Sequence, residues 1–248
     1  MIVYEIEKSL TGLLSALFES YVYKEVPDLV SADGCYQVKF DTVIRQIKPD
    51  EERANRVKVA VMKYSNEYTF DMVRVVLRSC SERKYTVCFN YLRGIIENRR
   101  DIAYELGSAP TVEFNDLKDK VRLEVHRFKG FLRFSETIDG YLFAKFKPDN
   151  DIIDLLAPHF MKRFKFHAFL IYDERRNRAV AYQNGKAKYL VPNKPVAVCY
   201  GREELDYRAL FREYFDAVAI KSRKNEKLQR NFLPVRYRNS MTEFGGAN

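Results

Sequence analysis

The sequence lacks any pair of cysteines at CxxC or CxxxC spacing, although it contains four cysteines. Structural zinc sites and iron–sulfur clusters take their ligands from closely spaced cysteines, so neither is expected. If both lie on helical segments, Cys80 and Cys88 are interpreted as small buried side chains, with a redox or metal role as the alternative. We therefore expect no cofactor and no metal site in this chain.

Long hydrophobic runs are also missing. No stretch approaches the roughly 18 consecutive apolar residues of a membrane span. Residues 1–12 contain no basic region followed by an apolar run, which a secretory signal would have. With 46% apolar and 31% charged residues, the composition is that of a folded globular protein. We expect a cytoplasmic protein without a membrane partner.

Acidic residues are scarce near the C-terminal end. The chain has a net charge of +9. Residues 221–238 contain seven basic residues and one acid, Glu226, which gives this segment a net charge of +6. Such an excess favours polyanions, because each phosphate neutralised by Lys or Arg releases condensed counterions. A mildly basic surface without a nucleic-acid partner is the alternative.

The first half of the chain is predicted to be mostly helical. Residues 2–8 are typical of a short edge strand, and apolar residues then recur at helical spacing. An extended segment is expected at 36–47, followed by helices. The Gly-Ser-Ala-Pro sequence at 107–110 is the clearest break. It divides the chain into a mostly helical region, 1–108, and an α+β region, 109–248. The alternative is that the two regions form one continuous domain.

The second half is predicted to consist of α-β-β units closed by a helix and an ordered basic segment. Asn115 is the expected cap of its first helix, and Asp139-Gly140 predicts a hairpin turn. The expected elements are a hairpin of 131–136 and 141–147, a helix to about 164, a hairpin of 168–172 and 179–183, a strand at 188–191 and a helix at 203–221. The predicted fold class is α+β.

Two segments mix aromatic rings with cations, a combination that suits unpaired bases beside phosphates. The first segment is residues 126–134, where a predicted strand places Phe131 and Arg133 on one face. The second is the basic segment after residue 221. The alternatives are a half-buried hairpin and a disordered basic end. The candidate nucleic-acid-binding residues are Arg127, Lys129, Phe131, Arg133, Tyr141, Arg223, Lys224, Gln229, Arg230, Arg236, Tyr237 and Arg238.

Candidate catalytic groups are few, because the sequence has only three histidines. His126 and His159 each lie near the end of a predicted helix and could act as general acid or base. Asp173 and Glu174 could bind a divalent metal for phosphodiester chemistry, but they are adjacent in a predicted turn. No hydrolase or metalloprotease motif accompanies these residues, so structural roles are favoured.

Several longer motifs resemble one bacterial family described in DNA metabolism and DNA repair. They lie at residues 13–21 (LLSALFESY), 124–134 (EVHRFKGFLRF), 156–160 (LAPHF), 225–237 and 242–244. Members of this family are genomic partners of a radical S-adenosylmethionine protein similar to spore photoproduct lyase. A related domain occurs fused ahead of a uracil-DNA glycosylase-like domain.

The resemblance implies an accessory protein that binds DNA, damaged or single-stranded, and acts with a radical S-adenosylmethionine repair enzyme. The chain lacks the three-cysteine motif of such an enzyme, so it is expected to be a non-catalytic partner. Two other functions stay open from the residues alone. One is a nuclease or base-excision enzyme that uses His126 and His159, and the other is a protein-interaction module without nucleic-acid binding.

Overall fold

The protein combines helices with two small sheets, which confirms the predicted α+β class. The structure is a computed structural model that describes residues 1–32, 34, 36–37, 40–223 and 225–244. The chain divides into two compact units, Met1–Arg122 and Leu123–Asn248. The division falls inside a long helix, α5 (Ala109–Phe131), which begins at the sequence break near residue 108.

Helices form most of the first unit, as predicted. They are α1 (Leu10–Val22), α2 (Glu51–Met62), α3 (Glu67–Val76) and α4 (Lys84–Asn98). Ser9 caps α1 by accepting a hydrogen bond from the Gly12 N–H at 2.9 Å. A Cβ at Gly12 would lie 2.6 Å from the Glu7 carbonyl oxygen, so only glycine fits there without a backbone shift. Apolar residues of these helices, such as Leu13 and Leu92, form one buried core.

The first unit also contains a parallel sheet of three strands, β1 (Ile2–Ile6), β2 (Leu29–Ser31) and β3 (Val43–Ile47), in the order β2-β1-β3. The prediction of β1 as an edge strand is therefore wrong. Its two partners lie far along the chain, and its central residues Val3 and Tyr4 are fully buried. Of the extended segment predicted at 36–47, only β3 is a strand, and Val38 and Lys39 lie outside the described residues.

The second unit contains a five-stranded sheet in the order β4-β5-β6-β7-β8. After α5 the elements are β4 (Ser135–Glu136), β5 (Leu142–Phe146), α6 (Ile153–Arg163), β6 (Phe169–Asp173), β7 (Arg178–Gln183), β8 (Lys186–Leu190) and α7 (Arg202–Val218). β5 and β6 pair in parallel, and the other neighbours are antiparallel. The ring of Phe160 on α6 lies 4.9 Å from that of Phe134, and Phe169 stacks on Tyr182 at 4.9 Å.

Two predicted boundaries are wrong. Asn115 does not cap α5, because the helix has already begun six residues earlier and the Val112 N–H donates to the Ser108 carbonyl at 3.0 Å. Phe131 is still helical rather than the start of a strand. Val121, Val125 and Phe128 are buried at helical spacing on α5, and this spacing continues to Leu132, which is also buried. This packing keeps the chain in a helix.

Candidate nucleic-acid interface

The basic segment beyond α7 folds into short helical turns. It contains 3₁₀ turns at Lys221–Arg223, Val235–Ser240 and Thr242–Phe244, and the helix α8 (Glu226–Phe232). Asn225 caps α8, because its Oδ1 accepts a hydrogen bond from the Leu228 N–H at 2.9 Å. Pro234 follows directly after the C-cap Leu233, where a residue without an N–H cannot extend the helix.

A cavity of about 1170 Å³ lies along α8, the end of α7 and the last described residues. We call it the C-terminal groove. Its lining combines apolar side chains with amides, cations and carboxylates. The amides are Asn225 and Gln229, the cations are Arg223, Arg230 and Arg238, and the carboxylates are Asp216, Glu226 and Glu243. Glu226 pairs with Arg230, and Glu243 pairs with Arg133. The apolar residues include Leu228, Phe232 and Phe244.

The apolar side chains of α8 face solvent. Leu228 and Phe232 lie at i and i+4, so they share one face of the helix, and Phe232 is 71% exposed. Phe232 was not among the residues predicted to contact bases. The sequence did contain a signal for the exposure of Phe232. The helix α8 has seven residues and only two apolar ones, Leu228 and Phe232, which are too few to form a buried stripe.

Three candidate contacts in the groove are accessible. Arg223 and Gln229 are exposed. Arg230 lies 3.6 Å from Glu226 in an exposed i, i+4 ion pair, a type of contact that contributes only about 0.3–0.5 kcal/mol. The Arg230 guanidinium therefore remains available to a phosphate. Lys224 lies outside the described residues.

Other candidate cations already have partners within the protein. Arg133 donates to the Gly130 carbonyl at 2.6 Å and to Glu243 Oε1 at 2.8 Å, and the Glu243 side chain is almost fully buried. The Arg238 guanidinium lies 4.7 Å from the Phe244 ring centroid. Arg236 forms an ion pair with Asp149 at 3.4 Å but keeps more than half of its side chain exposed. Of these three, Arg236 is the most accessible to a ligand.

Tyr237 is buried, so its ring cannot stack on a base as the sequence suggested. The ring lies edge-on to Phe128 with centroids 5.0 Å apart, and its hydroxyl donates to Glu124 Oε1 at 3.3 Å. Arg236 donates to the same hydroxyl at 3.2 Å. Burial raises the pKa of Tyr237, and Arg236 opposes the increase. Tyr237 fastens the C-terminal segment to α5.

Glu124 is a buried carboxylate at the centre of this attachment, and the sequence did not identify it. Besides the Tyr237 hydroxyl, it accepts hydrogen bonds from the Asp149 N–H at 2.9 Å, the Asn150 N–H at 2.8 Å and Asn150 Nδ2 at 2.6 Å. Four donors thus compensate the burial of one negative charge. Glu124 joins α5, the loop before α6 and the C-terminal segment.

The candidates at the end of α5 and in the first hairpin are mostly packed. Phe131 is half-buried, with its ring centroid 6.2 Å from that of Tyr237. The Arg127 guanidinium lies 5.7 Å from the Tyr237 ring centroid. Tyr141 packs on a small apolar cluster that contains Phe143. Lys129 is half-buried on the same helix as Phe131. Arg127 and Phe131 thus contact Tyr237 in the C-terminal segment, whereas Tyr141 packs on the sheet.

The two candidate histidines differ in environment. His126 is exposed on α5, and His159 is half-buried on α6. Burial lowers the pKa of His159, and the nearby cations Lys129 and Arg163 lower it further. Its Nε2 is buried and has no hydrogen-bond partner among the described residues. A neutral imidazole is therefore favoured at this position.

Asp173 stabilises the turn between β6 and β7. Its Oδ1 accepts hydrogen bonds from the N–H groups of Arg175 at 2.9 Å and Arg176 at 3.2 Å, and its Oδ2 pairs with the Arg176 guanidinium at 3.2 Å. Burial raises the pKa of Asp173, and Arg176 opposes the increase. Glu174 is exposed and lies 3.7 Å from Lys145. The Asp173 carboxylate is thus occupied by its own turn.

Within the residues that the structure describes, no three His, Cys, Asp or Glu side chains are grouped closely enough to hold a metal ion. His126, His159, Asp173 and Glu174 therefore do not form a metal centre there. In the same part of the chain, no helix has both the length and the apolar character needed to cross a membrane.

Comparison with known families places most of the chain in one family. The model of DUF4130, a domain of unknown function, matches residues 82–243. The protein belongs to the DUF4130 family. No curated protein matches the sequence.

Proposed function

We propose that the protein binds DNA through the C-terminal groove and prefers strands that are single or locally unpaired. The observation that carries this proposal is the exposure of Arg223, Arg230 and Phe232 along one groove in a segment of strong positive charge. Cations beside an exposed ring are the combination by which proteins bind unpaired nucleotides with little sequence preference.

Each type of side chain has a separate role in this interface. Arg223 and Arg230 bind phosphate oxygens, and the release of counterions makes this part of the affinity depend on salt. An unpaired base stacks on Phe232, a contact that contributes about 1–3 kcal/mol per base. A paired base in a duplex has both faces covered by its neighbours, so it cannot use Phe232. Preference for unpaired DNA follows from this difference.

The biological context that we propose is DNA repair or DNA metabolism, with the protein as an accessory to a radical S-adenosylmethionine enzyme. This part of the proposal is supported by the resemblance of the motifs at 124–134 and 225–237. We also propose that the protein is cytoplasmic, is not itself catalytic and carries no cofactor of its own. The occupied carboxylate of Asp173 favours it over a nuclease or base-excision enzyme that uses this residue.

Alanine variants of the groove test the proposal. Fluorescence anisotropy with a labelled single-stranded oligonucleotide should show that Phe232→Ala weakens binding by about 1–3 kcal/mol. Arg223→Ala and Arg230→Ala should each reduce the slope of log K against log salt by about 0.7. All three side chains are exposed, so the variants should fold like the parent.

Lys188→Ala is the matched control, because Lys188 is an exposed cation on the edge strand β8 and does not line the groove. Its affinity and salt slope should equal those of the parent protein. If the three groove variants bind like Lys188→Ala, the groove is not the DNA interface.

A further inference from the structure

The helix α7 exposes its apolar side rather than burying it. Tyr207, Leu210, Phe211 and Tyr214 follow helical spacing at i, i+3, i+4 and i+7, and each is between 41% and 67% exposed. We call these four residues the α7 stripe. Surface helices normally turn such a stripe toward the core, and a contiguous exposed apolar patch marks an interaction surface.

A different face attaches α7 to the second unit. Arg208 is buried, donates to Ser135 Oγ at 2.7 Å and to Glu204 Oε1 at 2.9 Å, and lies 4.2 Å from the Tyr200 ring centroid. The Phe215 ring contacts that of Phe244 at 6.1 Å between centroids. These contacts fix the orientation of the helix, so the α7 stripe stays at the surface.

A cavity of about 580 Å³ lies beside the stripe. All four stripe residues line it, together with Phe134, Thr242 and the charged residues Arg133, Glu204 and Arg208. These charges are compensated within the protein, because Arg133 pairs with Glu243 and Arg208 pairs with Glu204. A cavity with this lining can receive an apolar side chain from a partner, and anchors of this kind contribute most of the binding energy at protein interfaces.

One border of the stripe carries an excess of acids although the protein is basic. Asp206 and Glu213 each directly precede a tyrosine of the stripe, so they lie along this border with one exposed cation, Arg202, and Glu203 lies one turn before Tyr207. All three carboxylates are exposed, and none has a cation within ion-pair distance in the part of the chain that the structure describes. This border repels phosphates, so the stripe is separate in its chemistry from the C-terminal groove.

We propose that the α7 stripe docks an amphipathic helix of another protein, one whose apolar residues are flanked by Lys or Arg. The partner's apolar residues cover the stripe, one of them enters the cavity of about 580 Å³, and its cations face Asp206 and Glu213. An antiparallel pair of α7 helices from two copies of the chain brings two acidic borders together, and like charges destabilise such a pair.

A pair of designed helical peptides tests this proposal on the full chain. Both carry Leu at i, i+3, i+4 and i+7, and the flanking residues are Lys in one and Glu in the other. The Lys-flanked peptide should bind, measured by fluorescence anisotropy, and the Glu-flanked peptide should bind at least about tenfold more weakly. The double variant Leu210→Ala with Tyr214→Ala should weaken binding of the Lys-flanked peptide by at least about tenfold.

Charge reversal on α7 tests the proposed charge complementarity more specifically. The double variant Asp206→Lys with Glu213→Lys should reverse the preference and bind the Glu-flanked peptide better. Val191→Ala, which shortens an exposed apolar side chain outside the stripe, should behave as the parent does. Far-ultraviolet circular dichroism should be the same for all variants, because every changed side chain is exposed.

Three results would overturn the proposal. The first is equal binding of both peptides by the parent protein, or binding of neither. The second is unchanged binding by the α7 variants. The third is a dimer in analytical ultracentrifugation that Leu210→Ala with Tyr214→Ala dissociates, which would assign the stripe to a second copy. None of these results depends on DNA binding.

Discussion

Replacement of Glu124 by Gln should destabilise the protein through the attachment of its C-terminal segment. The carboxylate accepts four hydrogen bonds, two at each oxygen. In the Glu124→Gln variant one oxygen becomes an NH₂ group, which cannot accept. The least costly orientation places this group toward Tyr237, whose hydroxyl can rotate and accept instead. The Asp149 N–H then loses its partner.

The magnitude follows from this count. One buried donor without a partner costs about 1–3 kcal/mol, and the loss of charge-assisted bonds adds to it. We therefore expect Glu124→Gln to lower the free energy of unfolding by about 2–4 kcal/mol. Urea denaturation followed by circular dichroism measures this value. Glu174→Gln is the control, because Glu174 is exposed and its ion pair with Lys145 spans 3.7 Å, so its effect should stay below about 1 kcal/mol.

A loss for Glu124→Gln no larger than that of the control would refute the reasoning. It would mean that the four donors are satisfied in some other way, and that Glu124 does not hold the C-terminal segment to α5.

Three further results are expected. Burial and nearby cations lower the pKa of His159 in the folded protein, so the unfolded chain binds the proton first and stability should fall as the pH drops below about 6.5. Urea denaturation across pH should show that His159→Gln reduces this loss, and an equal loss in the variant would contradict the role of His159. Tyr237→Phe should lower the free energy of unfolding by about 1 kcal/mol and leave DNA affinity unchanged, whereas weaker DNA binding would restore Tyr237 as a base contact. Cys88 is buried as expected, but the expected burial of Cys80 is wrong, because Cys80 lies beyond the end of α3 and is exposed. Burial raises the pKa of the Cys88 thiol, so mass spectrometry after brief alkylation should find Cys80 modified and Cys88 intact, and rapid modification of both would contradict the burial of Cys88.

Local patterns in the sequence were sufficient for several elements of the second unit. The predicted hairpin arms at 168–172 and 179–183 correspond to β6 and β7, because alternating apolar residues and a polar turn define such a hairpin locally. The predicted helix at 203–221 corresponds to α7. The boundary at Phe131 failed because the helical spacing of α5 and the aromatic spacing of a strand overlap there.

Contacts between distant residues were not predictable from one sequence. The position of β1 depends on partners that begin at Leu29 and Val43, and no local pattern identifies a central strand. In the sequence, Tyr237 is an aromatic residue among cations, a pattern that predicts a base-stacking site. It is instead a core residue, because its ring packs on Phe128 and its hydroxyl donates a hydrogen bond to Glu124, which lies 113 positions earlier. Charge and composition located the basic segment, but only packing separates its accessible side chains from its structural ones.

The most direct measurement of the central claim is the affinity of the intact protein for single-stranded and duplex DNA of equal length, across salt concentrations from about 50 to 200 mM. We expect tighter binding to the single strand and an affinity that falls steeply as salt rises. No binding at about 100 mM salt, or equal affinity for both forms, would contradict the assignment of the C-terminal groove to unpaired DNA.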